Sequence, residues 1–523
     1  MNARALFLAG IACSVTARAA EPMARSDPPQ SIRVTDARFD QVAGTIRTAV
    51  ENGSIPSASV AVALGGRIVF EAAFGWADRE ALLAATPDTV YALASVTKPL
   101  TATAVMVLVE QGLVHLDEGV ANYGPFALRT VDGAEAKVAV RHLLNQTSGL
   151  PTYLNLFYPD ERLAPAPFAA TIRRYGVTVF PAGAQFEYSN LGYGILGELI
   201  AAASERPLAQ FLQDAVFAPL GMTSTTISLP PATSHTVATA YDARGRPAPH
   251  FLTDTPGAGD GFSTAHDLIV FALMHLEHRA QGQGQVLEHD SIARMQSGFE
   301  PGAAYHYYDG ARYGFGWYLT DDPERHRIVW HEGGAFGASA AIKQLPEHDA
   351  ACVVLLNAFR QELCTSLADA LIRAVLPAHT ARSPADTARF QPYSASAEWL
   401  GKWAGEITTP EVRVPIALVF ESDGLVRATF ADDGLASFFT GALPIEHATL
   451  LNSVMRDGDR LMGWFGGRLP GSDLSRGMDH FHRLVLVRGN DSLQGFVTAL
   501  AADARERYGF SYPVLLTRTP APK

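Results

Sequence analysis

The sequence predicts an α/β protein of the α+β kind: one antiparallel sheet with helices around it, followed by a smaller all-β domain. Strand-like runs stand at both ends of residues 36–376, at Ala58–Leu64, Arg67–Phe74, Tyr313–Leu319, Arg327–Trp330, Ala338–Leu345 and Ala350–Leu356. Helical periodicity fills the space between them, which suggests a sheet closed by both ends of the domain. Residues 377–395 are rich in Pro, Ser, Thr and Ala and interrupt both patterns. Beyond Trp399, short alternating runs recur with turn residues between them, the spacing of a small barrel or sandwich. A chain of 523 residues also exceeds what one compact core carries.

The elements follow in order. Arg4, the apolar stretch Ala5 to Ala12, and the small residues of Ala17-Arg18-Ala19 read as a signal peptide over residues 1–19, cleaved after Ala19. That implies a secreted protein, in a bacterium one of the periplasm. No later stretch is long and apolar enough for stable membrane insertion. Residues 20–35 read as a polar, Pro-rich linker. Phe39, Val42, Ala43, Ile46 and Val50 then share one helix face, which Gly53 ends. Gly65-Gly66 between two strand runs signals a hairpin.

Ser95 to Gly112 reads as a helix whose body, Ala102 to Val109, is apolar nearly all round and therefore buried. Pro99 fits only an opening turn, so Ser95 and Lys98 belong to the first turn. Towards the sheet's end, Gly333-Gly334 and Pro346-Glu347-His348-Asp349 are expected between strands, and residues 361–375 as a helix. Cys352 and Cys364 read as small buried residues rather than a disulfide. His275 and His278 have helical spacing at a helix end and read as surface residues, not metal ligands. The all-β runs are Val412–Phe420, Leu425–Phe430, Arg460–Trp464, His482–Val487, Leu493–Ala499 and Tyr512–Thr517, within a domain placed at 396–523.

Composition excludes some functions. The net charge of −12 and the absence of a basic cluster argue against nucleic acid as a partner. There is no Gly-x-Ser-x-Gly elbow and no His-Glu-x-x-His pair, so neither an α/β-hydrolase nor a zinc protease is indicated. No cofactor or metal is expected.

The chemistry begins at Ser95-Val96-Thr97-Lys98. A spacing of three puts both side chains on one helix face within reach of each other. A hydroxyl needs its proton removed before it attacks, and a desolvated lysine with a lowered pKa can remove it, whereas arginine cannot. Alone the pattern also describes an N-cap serine followed by a surface lysine. Here lysine occurs only at positions 98, 137, 343, 402 and 523, and no other lysine has a serine three residues before it. The second element is Tyr188-Ser189-Asn190, whose phenol can shuttle a proton and whose carboxamide can hold both a lysine and a substrate amide. The third is His331-Glu332-Gly333-Gly334 at the end of the strand Arg327–Trp330. Its glycines let a substrate backbone lie close and let an N–H point at an oxyanion.

The order Ser-x-x-Lys, Tyr-x-Asn, His-x-Gly resembles the serine β-lactamase and penicillin-binding-protein superfamily. Within it the class C β-lactamase-related branch is the best match, with family VIII esterases, D-aminopeptidases and DD-carboxypeptidases. The stretches Arg141 to Pro151, Pro219-Leu220-Gly221-Met222 and Gly261 to Leu268 are similar too, and the likeness covers residues 36–376. It implies a five-stranded antiparallel sheet flanked by helices, plus an all-α subdomain. It implies Ser95 as the acylated nucleophile, Lys98 as its base and Tyr188 as the proton relay. Asn190, His331, Gly333 and Gly334 would bind substrate, with the N–H groups of Ser95 and Gly334 as the oxyanion hole. The tail resembles the lipocalin-like β-barrels appended to some members of this branch.

Two departures stand out. His-Glu-Gly replaces Lys-Thr-Gly, so a titratable ring stands where the family has a permanent cation, which lowers the expectation of efficient β-lactam hydrolysis. Asn145-Gln146 also replaces Thr-His ahead of Thr147-Ser148-Gly149. The expected substrates are small esters, or amides and peptides containing D-residues. The alternatives are a DD-carboxypeptidase or weak β-lactamase of cell-wall metabolism, and a protein that is acylated without turnover.

Overall fold

The computed structural model describes residues 28–519 apart from 162, 230–235, 279–282, 299–310, 322–325, 378–389, 431–447, 467–468, 470–473, 475–479 and 502–507. The expected signal segment and most of the expected linker at 377–395 lie outside the described residues. The two strands Ser57–Leu64 and Arg67–Asp78 form the hairpin, turning at Gly65 (φ 58°) and Gly66 (φ 72°), as a two-residue turn with two positive φ values requires. Ser57–Leu64 then pairs with Ala350–Leu356, so the ends of the first domain meet in one antiparallel sheet. The order runs Gln30–Val34, Arg67–Asp78, Ser57–Leu64, Ala350–Leu356, Ala338–Leu345, Arg327–Ala335, Tyr318–Asp321 and Arg312–Tyr313. The five strands of the family pattern are its centre, and short strands extend both edges.

Alternation along these strands divides the core. Val60, Val62, Cys352 and Val354 face the helices Asp40–Glu51 and Gln361–Val375. Ala61, Ala63, Ala351 and Val353 face the other way, towards the helix Ala265–His275 and the helical part. Cys352 and Cys364 are buried, unlinked thiols.

Three expectations need correction. Tyr313–Leu319 is not one strand. Gly314-Phe315-Gly316 breaks it, and Gly316 (φ 82°) sits so close to the serine helix that a Cβ would lie 2.7 Å from the Ala102 methyl. Arg327–Trp330 does not stop at Trp330 but continues to Ala335, so His331 to Gly334 lie inside the strand. Their partners are Ile342 to Ser339 on the next strand. His275 is not a surface residue: it is 2% exposed, bonded to Thr103 Oγ1 at 3.2 Å and packed edge-on against Phe271 and Trp317. The helix end that carries it is covered by the Gly314–Trp317 turn, which periodicity could not reveal.

The C-terminal strands form an antiparallel sheet curled into a half-barrel. Its order is Gln391–Pro392, Asn452–Asp457, Arg460–Gly466, His480–Arg488, Ser492–Ala501, Tyr508–Arg518, Gly401–Thr408, Arg413–Phe420, Val426–Phe430 and Ala448–Leu450. Trp399 and Trp403 fill its core. Its strand Tyr508–Arg518 also pairs with Tyr153–Phe157 of the first domain, Phe510 opposite Tyr153. Among the described residues no helix is long and apolar enough to cross a membrane.

Candidate active site

Ser95 sits on a 3-10 turn, Ala94–Val96, that leads into the helix Thr97–Glu110. Ala94 has φ 45°, a conformation an L-residue holds only when its surroundings impose it. The strand Gly261–Ser263 imposes it: Leu93 N donates to Gly261 O (2.8 Å), Gly261 N to Thr97 Oγ1 (2.9 Å), and Thr97 Oγ1 to Ala94 O (2.6 Å). A Cβ on Gly261 would fall 2.6 Å from Thr97 Oγ1, so only glycine fits.

Lys98 is fully buried, and its Nζ lies 3.2 Å from Ser95 Oγ, 2.7 Å from Asn190 Oδ1 and 3.0 Å from Ala258 O. Among the described residues no carboxylate pairs with it, and burial holds its pKa well below the usual lysine value. The three neighbours then have distinct meanings. In its neutral form the amine has two protons, which Asn190 Oδ1 and Ala258 O can accept, and one lone pair that can receive the Ser95 proton. That is the arrangement of a base.

Asn190 opens the helix Asn190–Ser204, and its Nδ2 donates to Tyr153 O at 2.8 Å. The Tyr188 ring is half-buried with its centroid 4.6 Å from Lys98 Nζ, so the amine lies against the ring. The departure at Asn145-Gln146 has a structural meaning. Gln146 (φ 61°) takes Ser189 N on its Oε1 (2.8 Å) and Glu187 N on its carbonyl (2.7 Å), gripping the chain on both sides of Tyr188.

His331 is 1% exposed. Its Nδ1 lies 2.8 Å from Glu332 O, and its Nε2 3.0 Å from Tyr313 Oη. Burial, and then the neighbouring Lys98, push its pKa down to about 3. A neutral ring that donates from Nδ1 to a carbonyl must accept at Nε2, so the Tyr313 hydroxyl donates to it. The ring is therefore no cation, and it faces Tyr313. The Glu332 carboxylate points towards the helix Gln361–Val375, accepting from Thr365 Oγ1 at 2.6 Å.

Gly333 packs directly on the serine turn: a Cβ there would fall 2.0 Å from Leu93 O and 3.1 Å from Ser95 N. Gly334 is exposed, with Phe359 (43% exposed) beside it. The neighbouring strand Tyr318–Asp321 ends its pairing at Trp330, so the edge from His331 to Ala335 has no strand beside it among the described residues. A substrate chain can lie there.

The structure thus gathers Ser95, Tyr188 and Asn190 around Lys98 Nζ, with Gly333 packed on the serine turn, Gly334 exposed next to it and His331 buried nearby. Sequence reasoning missed Ala258 O, Tyr153 O and Tyr313, and it gave the Gln146 departure no role. Two are backbone carbonyls, which carry no residue signature, and Tyr313 was read as part of a continuous strand. Among the described residues, no group of three or more His, Cys, Asp or Glu side chains could hold a metal.

Comparison with known proteins gives the following. The family described as Beta-lactamase matches residues 42–376. Penicillin-binding protein 4* of Bacillus subtilis (strain 168) is 28% identical over 426 residues, covering 74% of this chain and 88% of that protein. Among solved structures, SurE with D-Leu shares the fold at TM-score 0.62 and 22% identity, covering 91% of this chain and 99% of its own. The octameric penicillin-binding protein homologue from Pyrococcus abyssi does so at TM-score 0.55 and 21% identity, again covering 91% and 99%.

Proposed function

Given that the chain belongs to the Beta-lactamase family, we propose that it is an exported serine hydrolase that acylates Ser95 with small carboxylic esters or D-residue amides. The observation that carries this is the buried Lys98 Nζ at 3.2 Å from Ser95 Oγ, with no carboxylate partner among the described residues. Ser95 Oγ adds to the acyl carbonyl while its proton passes to neutral Lys98. The bond to the alcohol or amine leaving group breaks, and Tyr188 relays a proton to the departing atom. Water then adds to the acyl carbon and gives its proton to the same Lys98–Tyr188 unit. The bond to Ser95 Oγ breaks, and the serine is reprotonated. Asn190 orients Lys98, the Ser95 and Gly334 N–H groups take the oxyanion, and His331 holds the strand edge through Tyr313.

Two features favour uncharged ester substrates. His331 is neutral where the family has a cation, so this ring offers no charge to a substrate carboxylate. Phe359 beside Gly334 offers an apolar surface to an acyl or alcohol group. The second reading is a DD-peptidase or weak β-lactamase, favoured by the likeness to Penicillin-binding protein 4*.

The test is turnover of a short p-nitrophenyl ester, a D-alanine p-nitroanilide and a cephalosporin by the wild type and by Ser95→Ala. The proposal expects the ester to lead and the variant to lose about a thousandfold or more. Undiminished activity in Ser95→Ala would refute the acyl-enzyme. A cephalosporin turned over fastest would replace the ester reading with the second one.

A further inference from the structure

Two catalytic groups, Tyr188 and Asn190, sit on a segment that the half-barrel holds from outside. Arg460, on the strand Arg460–Gly466, reaches Glu187, the residue before Tyr188. Its Nη2 lies 2.8 Å from Oε2 and 3.2 Å from Oε1, and the two side chains are 8% and 4% exposed. From the adjacent strand, Arg483 Nη2 donates to Thr152 Oγ1 (3.0 Å), whose hydroxyl donates to the carbonyl of Tyr188 (3.3 Å). A third strand, Tyr508–Arg518, pairs with Tyr153–Phe157, and Tyr153 O is the acceptor that fixes Asn190 Nδ2. Three strands of the half-barrel thus end on the supports of the proton-handling residues. The space left between Thr152, Phe186, Tyr188, Arg460 and Arg483 is about 10 Å³, room for one water at most.

The chemistry of these contacts is informative. An appendage that merely stabilised the fold could be docked by apolar packing, as Val179 and Phe180 are against Val485 and Phe496. A buried Arg–Glu pair sacrifices hydration and gains directionality instead, because the planar guanidinium meets the carboxylate in one geometry. We propose that Arg460 and Arg483 are positioning residues that set the placement of Tyr188 and Asn190, so that the half-barrel is a working part of the catalytic centre. This rests on the acyl-enzyme reading of Ser95, Lys98 and Tyr188.

The experiment uses the full chain. Ser95 labelling by a fluorophosphonate and hydrolysis of a p-nitrophenyl ester are followed from about pH 5 to about pH 10. The variants are Arg460→Met, Arg483→Met, the double Arg460→Met/Glu187→Met, and Ser95→Ala. The proposal expects Arg460→Met to lower kcat and labelling rate by about 10- to 100-fold at little-changed KM, and to shift the pH profile. It expects the double variant, which removes both charges of that pair, to recover the melting temperature but not kcat. Folded variants with wild-type kcat and pH profile would overturn it, as would a double variant that regains kcat together with stability. Where Arg460→Met does not fold, the double variant and Arg483→Met decide by the same criteria. Labelling that survives in Ser95→Ala would instead sink the acyl-enzyme reading itself.

Discussion

At the scale of single residues, Lys98 shows how a site is made reactive by what it lacks. It has amide and carbonyl acceptors but no carboxylate partner among the described residues, and it is fully buried. Its folded-state pKa is depressed, so between that value and the unfolded lysine value the unfolded chain binds more protons than the native one. Stability linked to this group therefore rises with pH across that window and is lowest below it. Lys98→Met should abolish Ser95 acylation and raise the melting temperature, by about 1 °C per kcal/mol regained in a cooperative unit of this size. The gain should shrink as the solution approaches the pKa of an ordinary lysine, about 10. Melting curves of both proteins at neutral and alkaline pH check this, and a gain independent of pH would contradict it.

At the scale of elements, the decisive contact is between the strand Arg327–Ala335 and the turn Leu93–Val96. The strand edge can approach the serine turn only because Gly333 has no side chain there. Gly333→Ala should cost about 1–3 kcal/mol through overpacking. Because the displaced atoms include the Ser95 backbone, it should also lower acylation at least about tenfold. Measuring labelling rate beside thermal stability separates the two effects. A variant with unchanged labelling would show that the strand does not position the turn.

At the scale of the whole molecule, the half-barrel and the helical part share one continuous set of buried side chains. It runs from Leu100 and Val105 of the serine helix through Tyr153 to Phe510 and Leu516. Tyr175 stacks on Phe510, and Tyr153 touches both rings. With backbone pairing and buried polar contacts across the same boundary, the protein should unfold in a single cooperative transition, not two. Scanning calorimetry decides this. Two resolved transitions would show that the two parts are independent, and would weaken the case for a catalytic role of Arg460.

The sequence by itself determined the local elements and the chemistry that a short spacing can encode. The Gly65-Gly66 hairpin, the helix 361–375 and the buried serine helix follow from periodicity and turn residues. The Ser95–Lys98 pair follows from one helical turn. Tyr188, Asn190 and His331 were legible only as part of an ordered set of motifs that resembled a family. The tertiary structure alone decided the rest. It made His331 a neutral buried ring by closing Tyr313 over it, and it carried the strand past Trp330 so that Gly333 meets the serine turn. It brought Ala258 O to Lys98 across 160 residues of chain, and Arg460 to Glu187 across 273. The reason is physical. Periodicity records which face of an element is buried, but not what buries it, and desolvation and hydrogen-bond partners belong to that second quantity.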